Sequence, residues 1–169
     1  MTDSTDLATL ARRVRRLEDE AAIRDVLAAY AFAADMSDAE GWLSLFAENA
    51  YFTAPGLGRS EGRQAIRTLI DRLLAHNANV ANQHDPLGPL AIEIDGDAAR
   101  ADGYSLVLSV APGSAPEIDS VNLSRWTFVR QGDRWLISGR DVRSLDAAGL
   151  QSFAAEGFGF RRLAGSSPA

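Results

Sequence analysis

The chain has 169 residues, 46% hydrophobic and 24% charged, a length and balance that suit one domain with a sizeable core. Its formal net charge of −6 at pH 7 argues against nucleic acid as a partner, because a phosphate backbone demands a basic surface. Cysteine is absent, which excludes disulfides, thiolate catalysis and cysteine-based metal sites. The acidic start (Asp3, Asp6) lacks the flanks of a signal peptide and no apolar run reaches membrane-spanning length, so the expectation is a cytoplasmic protein with no membrane partner.

Leu7, Leu10, Val14 and Leu17 recur at three- and four-residue steps, and Ile23, Val26, Leu27 and Tyr30 continue the pattern. This predicts a long amphipathic helix, with a bend near Glu18–Glu20 and an end close to Asp35–Met36–Ser37. Arg12, Arg13, Arg15 and Arg16 interleave with its apolar positions and read as a solvated helix face. Ser37 or Asp38 is then placed to cap a short second helix carrying Trp42, Leu43, Leu45 and Phe46. Asn49 to Thr53 predicts a strand, Pro55-Gly56 closes it, and a loop follows. Ile66, Leu69, Ile70, Leu73 and Leu74 mark a third helix.

Beyond it the period changes from helical to alternating. Leu90, Ile92 and Ile94 alternate with Ala91, Glu93 and Asp95 and end in an Asp95-Gly96-Asp97 turn. Further strands are predicted over Ala101–Val110, Ser120–Arg130 and Trp135 to about Val142, the last two joined by Gln131-Gly132-Asp133. Helices first and a meander last make an α+β pattern rather than repeated β/α units. Residues 1–155 are assigned to one domain and 156–169, rich in small residues, to a frayed tail, the alternative being that Phe158 and Phe160 fold back over an opening.

His84, in Asn82-Gln83-His84-Asp85-Pro86, is one of two histidines and the side chain best matched to proton transfer near neutral pH. The competing role is a histidine hydrogen-bonded at a strand edge. His76, at a helix end, reads as structural. Asp35 follows the apolar run Tyr30-Ala31-Phe32-Ala33-Ala34, where a carboxylate needs either a partner to offset desolvation or a capping role. Tyr30 and Asp35 point roughly 140° apart on an ideal helix, so spacing alone does not join them. Asn122 shares a strand face with Trp126 and Phe128, a place for hydrogen bonding to a bound molecule or to backbone. Arg143 follows the last strand and suits either an anionic substrate group or a surface acid. Gly56-Leu57-Gly58-Arg59-Ser60-Glu61-Gly62 has its third glycine one position late for a dinucleotide fingerprint and no parallel strand after it.

These residues resemble the SnoaL-like group of the nuclear-transport-factor-two-like superfamily over about residues 5 to 150. The carriers are Leu17-Glu18-Asp19-Glu20-Ala21-Ala22-Ile23-Arg24-Asp25, Tyr30, Asp35, Trp42-Leu43-Ser44-Leu45-Phe46-Ala47-Glu48-Asn49-Ala50, Gly62-Arg63-Gln64-Ala65-Ile66, His84, Ile94-Asp95-Gly96-Asp97 and Asp133-Arg134-Trp135-Leu136-Ile137. The resemblance implies a cone-shaped α+β barrel, with N-terminal helices on the concave face of a curved, mostly antiparallel sheet, and a homodimer or larger homo-oligomer. Dehydratases and a dehydrochlorinase of that superfamily eliminate with an Asp–His pair, which Asp35 and His84 resemble. Tyr30 and Arg143 resemble pocket residues of the bile-acid dehydratase. Tyr51 and Ser120-Val121-Asn122-Leu123 resemble scytalone dehydratase positions, although the second histidine of that enzyme has no counterpart in Tyr104–Ala111.

The function implied is a cofactor-independent lyase or isomerase acting on a small apolar cyclic ligand, such as a polyketide, steroid or aromatic compound. His84, Asp35 and Tyr30 would be catalytic; Tyr51, Asn122, Trp126 and Arg143 would bind substrate; no metal is required. The alternative is a non-catalytic ligand-binding or homo-oligomeric assembly module of the same fold.

Overall fold

The computed structural model describes residues 3–76 and 81–157, with backbone alone at 3–5, 76 and 81–89. A 33-residue helix, α1 (Asp3–Asp35), leads the chain. Its C-terminal half turns Ile23, Leu27, Tyr30 and Ala34 inward at helical spacing, and all four are buried. Each of the three larger side chains contributes roughly 1.5–3 kcal/mol by leaving water. Its N-terminal half touches little: residues 6–18 are exposed on every side. Ser37 adopts φ 57°, and Asp38 then caps α2 (Ala39–Ser44), its carboxylate accepting from the Gly41 N–H at 2.9 Å. Asp38, rather than Ser37, is therefore the cap.

Two elements differ from the sequence expectation at this point. Leu45 is the C-cap of α2, and Phe46 already begins β1 (Phe46–Ala54), so the helix is shorter and the strand longer than the apolar spacing suggested. The stretch read as a loop contains β2 (Gly58–Glu61), which pairs antiparallel with β1. A short strand of glycine, arginine, serine and glutamate has no apolar alternation to announce it; its backbone pairing with β1 creates it. Next, α3 (Arg63–His76) buries Ile66, Leu69 and Ile70 against α2 and β1.

The meander follows as β3 (Ala81–Asp95), β4 (Ala98–Val110), β5 (Glu117–Gln131) and β6 (Arg134–Ser144). Gly96 (φ 59°) and Gly132 (φ 62°) supply the left-handed residue in the two tight turns. β3 starts well before Leu90, so His84 lies inside the strand rather than ahead of it. The sheet order is β2-β1-β6-β5-β4-β3, antiparallel except for the β1–β6 pair, which leaves the curved sheet open with β2 and β3 as its edges. Helices α1 and α3 lie on one face, where Phe46, Phe52, Trp126, Phe128, Trp135 and Ile137 complete the core.

The opposite face carries a fourth helix that the sequence did not announce, α4 (Ala147–Ala155), capped by Asp146. Phe153 is fully buried beneath the guanidinium groups of Arg143 and Arg125. Arg125 grips the buried Asp102 carboxylate through two hydrogen bonds of 2.8 and 2.9 Å. Phe158 and Phe160 lie outside the described residues. No helix among the described residues is long and apolar enough to cross a membrane.

Candidate functional site

The helix-covered face is read most directly from strand register. Phe52 on β1 pairs with Arg140 on β6, Arg140 with Trp126 on β5, Trp126 with Ala101 on β4, and Ala101 with Ile92 on β3. Directly paired residues share a face, so this row crosses the sheet beneath α1. Tyr30 stands over it, its ring edge-on to Trp126 at 4.8 Å and to Trp42 at 5.1 Å. The three rings and Arg140 are nearly sealed from solvent.

Arg140 is the unexpected member. Its guanidinium stacks 4.1 Å from the centroid of Trp126 and 4.8 Å from that of Tyr30, and its Nη1 donates to the Tyr30 hydroxyl oxygen. Its Nε is buried without a hydrogen-bond partner among the described residues. No described carboxylate forms an ion pair with it, whereas Arg125 and Arg143 on the other face are each held by two acids. A buried cation compensated mainly by aromatic faces costs stability. Burial raises the Tyr30 pKa, partly offset by the Arg140 charge and by the hydrogen bond from Arg140, so the phenol stays protonated at neutral pH. With its oxygen accepting from Arg140, the Tyr30 proton is free to be donated.

Burial declines along this face. Ser124, next after Trp126 on this face of β5, and Ser105, which pairs with Asn122, are buried and share a 2.8 Å hydroxyl hydrogen bond across adjacent rows. Asn122, beside Ser105, and the paired Ser120 and Val107 one row farther are half-buried, with Asn122 Nδ2 donating to Ser120 Oγ at 3.0 Å. The face therefore opens toward Asn122, about 13 Å from Trp126 at a strand rise of 3.3 Å per residue. The backbone of His84 pairs with Val107, on the same face and toward the same end. The His84 side chain, like that of His76, lies outside the described part.

The course of α1 places Asp35. The helix begins its contact with the sheet at Asp19, which accepts from Trp135 Nε1 at 3.2 Å and pairs with Arg130 at 2.7 Å near the β5–β6 turn. It reaches the Arg140 row at Tyr30 and continues toward the open end. Asp35 is half-buried and engaged there, about 7.5 Å farther along the axis at 1.5 Å per residue. Tyr30, Trp126, Asn122 and Asp35 thus belong to the helix-covered side.

Tyr51 and Arg143 do not. Tyr51 alternates with the inward Phe52, lies against Gly139 on the opposite face and carries the Arg59 guanidinium 3.9 Å from its ring. Arg143 bonds Asp141, Glu156 and Ser152 beside α4. A bulge explains the placement. Phe128 pairs with Ile137 but Thr127 pairs with Gly139, so Ser138 is an extra residue in β6. The inward phase of Trp135 and Ile137 then passes to Arg140 and Val142 instead of Gly139, Asp141 and Arg143. Sequence alternation without the bulge would turn Arg143 inward and hide Arg140; the only sequence hint is Ser138-Gly139 breaking an otherwise alternating strand.

A cleft of about 860 Å³ lies elsewhere, between the N-terminal half of α1 and the hairpin turns, lined by residues such as Arg16, Asp97 and Asp133. Its floor is the satisfied Asp19–Arg130–Trp135 group, so the inner face is the better candidate.

An open, mostly antiparallel sheet covered on one face by N-terminal helices, with a polar group held among aromatics beneath them, defines the fold class of small NTF2-like domains. The chain belongs to the SnoaL-like domain family, whose model matches residues 15–141. No curated protein matches it. Among solved structures it is similar to an NTF2-like protein with a cystatin-like fold from Novosphingobium aromaticivorans (35% identity, 89% of this chain and 97% of that one, TM-score 0.78). A protein from Catenulispora acidiphila, solved in complex with S-DNPA, is 25% identical over 76% of this chain and 94% of its own (TM-score 0.67). A putative aromatic ring hydroxylase from Novosphingobium aromaticivorans is 26% identical over 77% of this chain and 91% of its own (TM-score 0.66).

Proposed function

We propose that this protein is a cofactor-independent lyase or isomerase for a small apolar cyclic substrate that develops negative charge on an oxygen. The observation that carries the reading is Arg140: a buried guanidinium without a described counter-ion, stacked on Trp126 and joined to the Tyr30 hydroxyl. Such a pair is suited to an oxyanion, because a preorganised cation and a protonated phenol O–H stabilise developing charge with little reorganisation. His84 acts as general base, removing a C–H proton next to an activating group. Asp35 accepts from the other imidazole nitrogen, fixing the tautomer and stabilising the imidazolium. Tyr30 donates to the leaving oxygen or enolate, Arg140 balances its charge, and Asn122 and Trp126 orient the ring. Arg143 and Tyr51, on the other face, have no part in the step. The Catenulispora relative solved in complex with S-DNPA and the relative described as a putative aromatic ring hydroxylase support a reading with an aromatic-sized ligand.

The test is proton exchange in deuterated water. Cyclic enolisable ketones and phenols are screened for quenching of tryptophan fluorescence, and binders are followed by NMR for deuterium incorporation. His84→Ala and Asp35→Asn should each slow exchange on the order of 10²–10⁴-fold while leaving binding within a few-fold. Binding with no exchange above the buffer rate, or exchange indifferent to both substitutions, would sink the mechanism and leave a ligand-binding module.

A further inference from the structure

The exposed half of α1 does nothing for the site, yet it carries a regular apolar stripe. Leu7 is 64% exposed, Leu10 54%, Val14 44% and Leu17 65%. Their spacing of three, four and three residues is that of alternating a and d positions in a heptad. The buried stripe of the same helix, Ile23, Leu27, Tyr30 and Ala34, begins only where the helix meets the sheet. An arm of this length gains little from isolated helix formation, so a surface for its apolar edge is needed.

We propose that the N-terminal arm of α1 forms a parallel, in-register two-stranded coiled coil with the same arm of a second copy of this chain. Charge pattern selects both the occupant and the direction. With Leu7 and Val14 at a, and Leu10 and Leu17 at d, the g positions are Asp6, Arg13 and Glu20, and the e positions include Ala11 and Glu18. Parallel pairing sets each g against the e five residues later on the partner, which makes two symmetric Arg13–Glu18 pairs and leaves Asp6 beside Ala11. No ion pair within the chain is found for Arg13 or Glu18 among the described residues, whereas Arg16 already holds Glu20 at 3.1 Å. The antiparallel arrangement that matches Leu7 to Leu17 and Leu10 to Val14 sets Arg13 against Arg13 and Asp6 against Glu20. Those contacts repel. A β-branched residue at a with leucine at d also favours two parallel strands. The next parallel rung would oppose Glu20 to Asp25, so the seam ends as the helix reaches the sheet. The arm's basic residues are matched by Asp3, Asp6, Glu18, Asp19 and Glu20, a poor charge balance for an anionic membrane surface. A seam of two heptads is at the small end of specific interfaces, below about 1,200 Å² in total, so association by the arm is concentration-dependent.

Because the chain lacks cysteine, direction can be read by single-site crosslinking of the full-length protein. Leu10→Cys should form a disulfide-linked dimer under mild oxidation, since parallel pairing brings the two copies of residue 10 face to face. Sedimentation velocity should show Leu10→Glu or Arg13→Glu weakening self-association at least tenfold, and Arg13→Glu combined with Glu18→Arg restoring it. Leu10, Arg13 and Glu18 are all exposed, so circular dichroism should show the fold intact. Three results would overturn the proposal: self-association unchanged by Leu10→Glu; crosslinking only when Leu10→Cys and Val14→Cys copies are mixed; or arm-dependent sedimentation with phosphatidylglycerol vesicles and no self-association.

Discussion

Replacing Arg140 by Met tests whether a charge is held at this position against the interest of stability. Methionine approximates the length and apolar packing of the arginine stem. The substitution forfeits stacking on Trp126 and Tyr30, about 0.5–2 kcal/mol in all for a desolvated cation–π contact. It also forfeits one hydrogen bond to the Tyr30 hydroxyl, about 1 kcal/mol net. Against that, replacing a buried charge by a well-packed apolar side chain returns about 1–4 kcal/mol. The sum lies near zero, within about 2 kcal/mol on either side. At roughly 2–4 °C per kcal/mol for a domain of this size, Tm should move by less than about 8 °C. Ligand binding should respond very differently. Titration of tryptophan fluorescence with 2-naphthoate and with neutral 2-naphthamide should show the wild type preferring the carboxylate. Arg140→Met should weaken naphthoate by about 10–100-fold, the worth of a charge-assisted hydrogen bond, and leave naphthamide nearly unchanged. A Tm fall beyond about 10 °C, with both ligands weakened alike, would show that Arg140 is a structural pillar and refute the reasoning.

Tyr30 carries a pH signature. Its pKa in the folded protein is raised, chiefly by burial, so its contribution is complete below the unfolded tyrosine pKa near 10 and is lost as pH rises through the higher folded value. Urea unfolding from pH 8 to 11 should therefore show stability falling above about pH 10, with a shallower fall in Tyr30→Phe. On the other face, a Cβ at Gly139 would run into the Tyr51 ring and lie 2.8 Å from Thr127 Oγ1. Gly139→Ala should cost about 1–3 kcal/mol by overpacking, read as a lower urea midpoint, without altering naphthoate binding. Loss of binding there would connect the two faces in a way the register does not.

Much of the architecture was legible before any coordinates. The period of Ile23, Leu27 and Tyr30 identifies a helix face, and the Gly96 and Gly132 turns mark two hairpins, because both signals are local. The boundaries that moved are those set by pairing. β2 exists because β1 offers it an edge, and β3 extends back to Ala81 because β4 runs alongside it. Among site residues, Tyr30, Trp126 and Asn122 lie on the helix-covered side as their neighbours suggested, and Asp35 follows from the direction of α1.

The sequence by itself determined the class of fold, the order of helices before sheet and the residues rich enough in chemistry to matter. It could not determine which arginine faces inward. Side-chain direction in a strand reverses with each residue, so one bulge at Ser138 exchanges the roles of Arg140 and Arg143. Nor could it show that one arginine is surrounded by acids and the other by aromatic rings. That depends on residues far apart in the chain meeting across the sheet, and only the tertiary structure sets those neighbours.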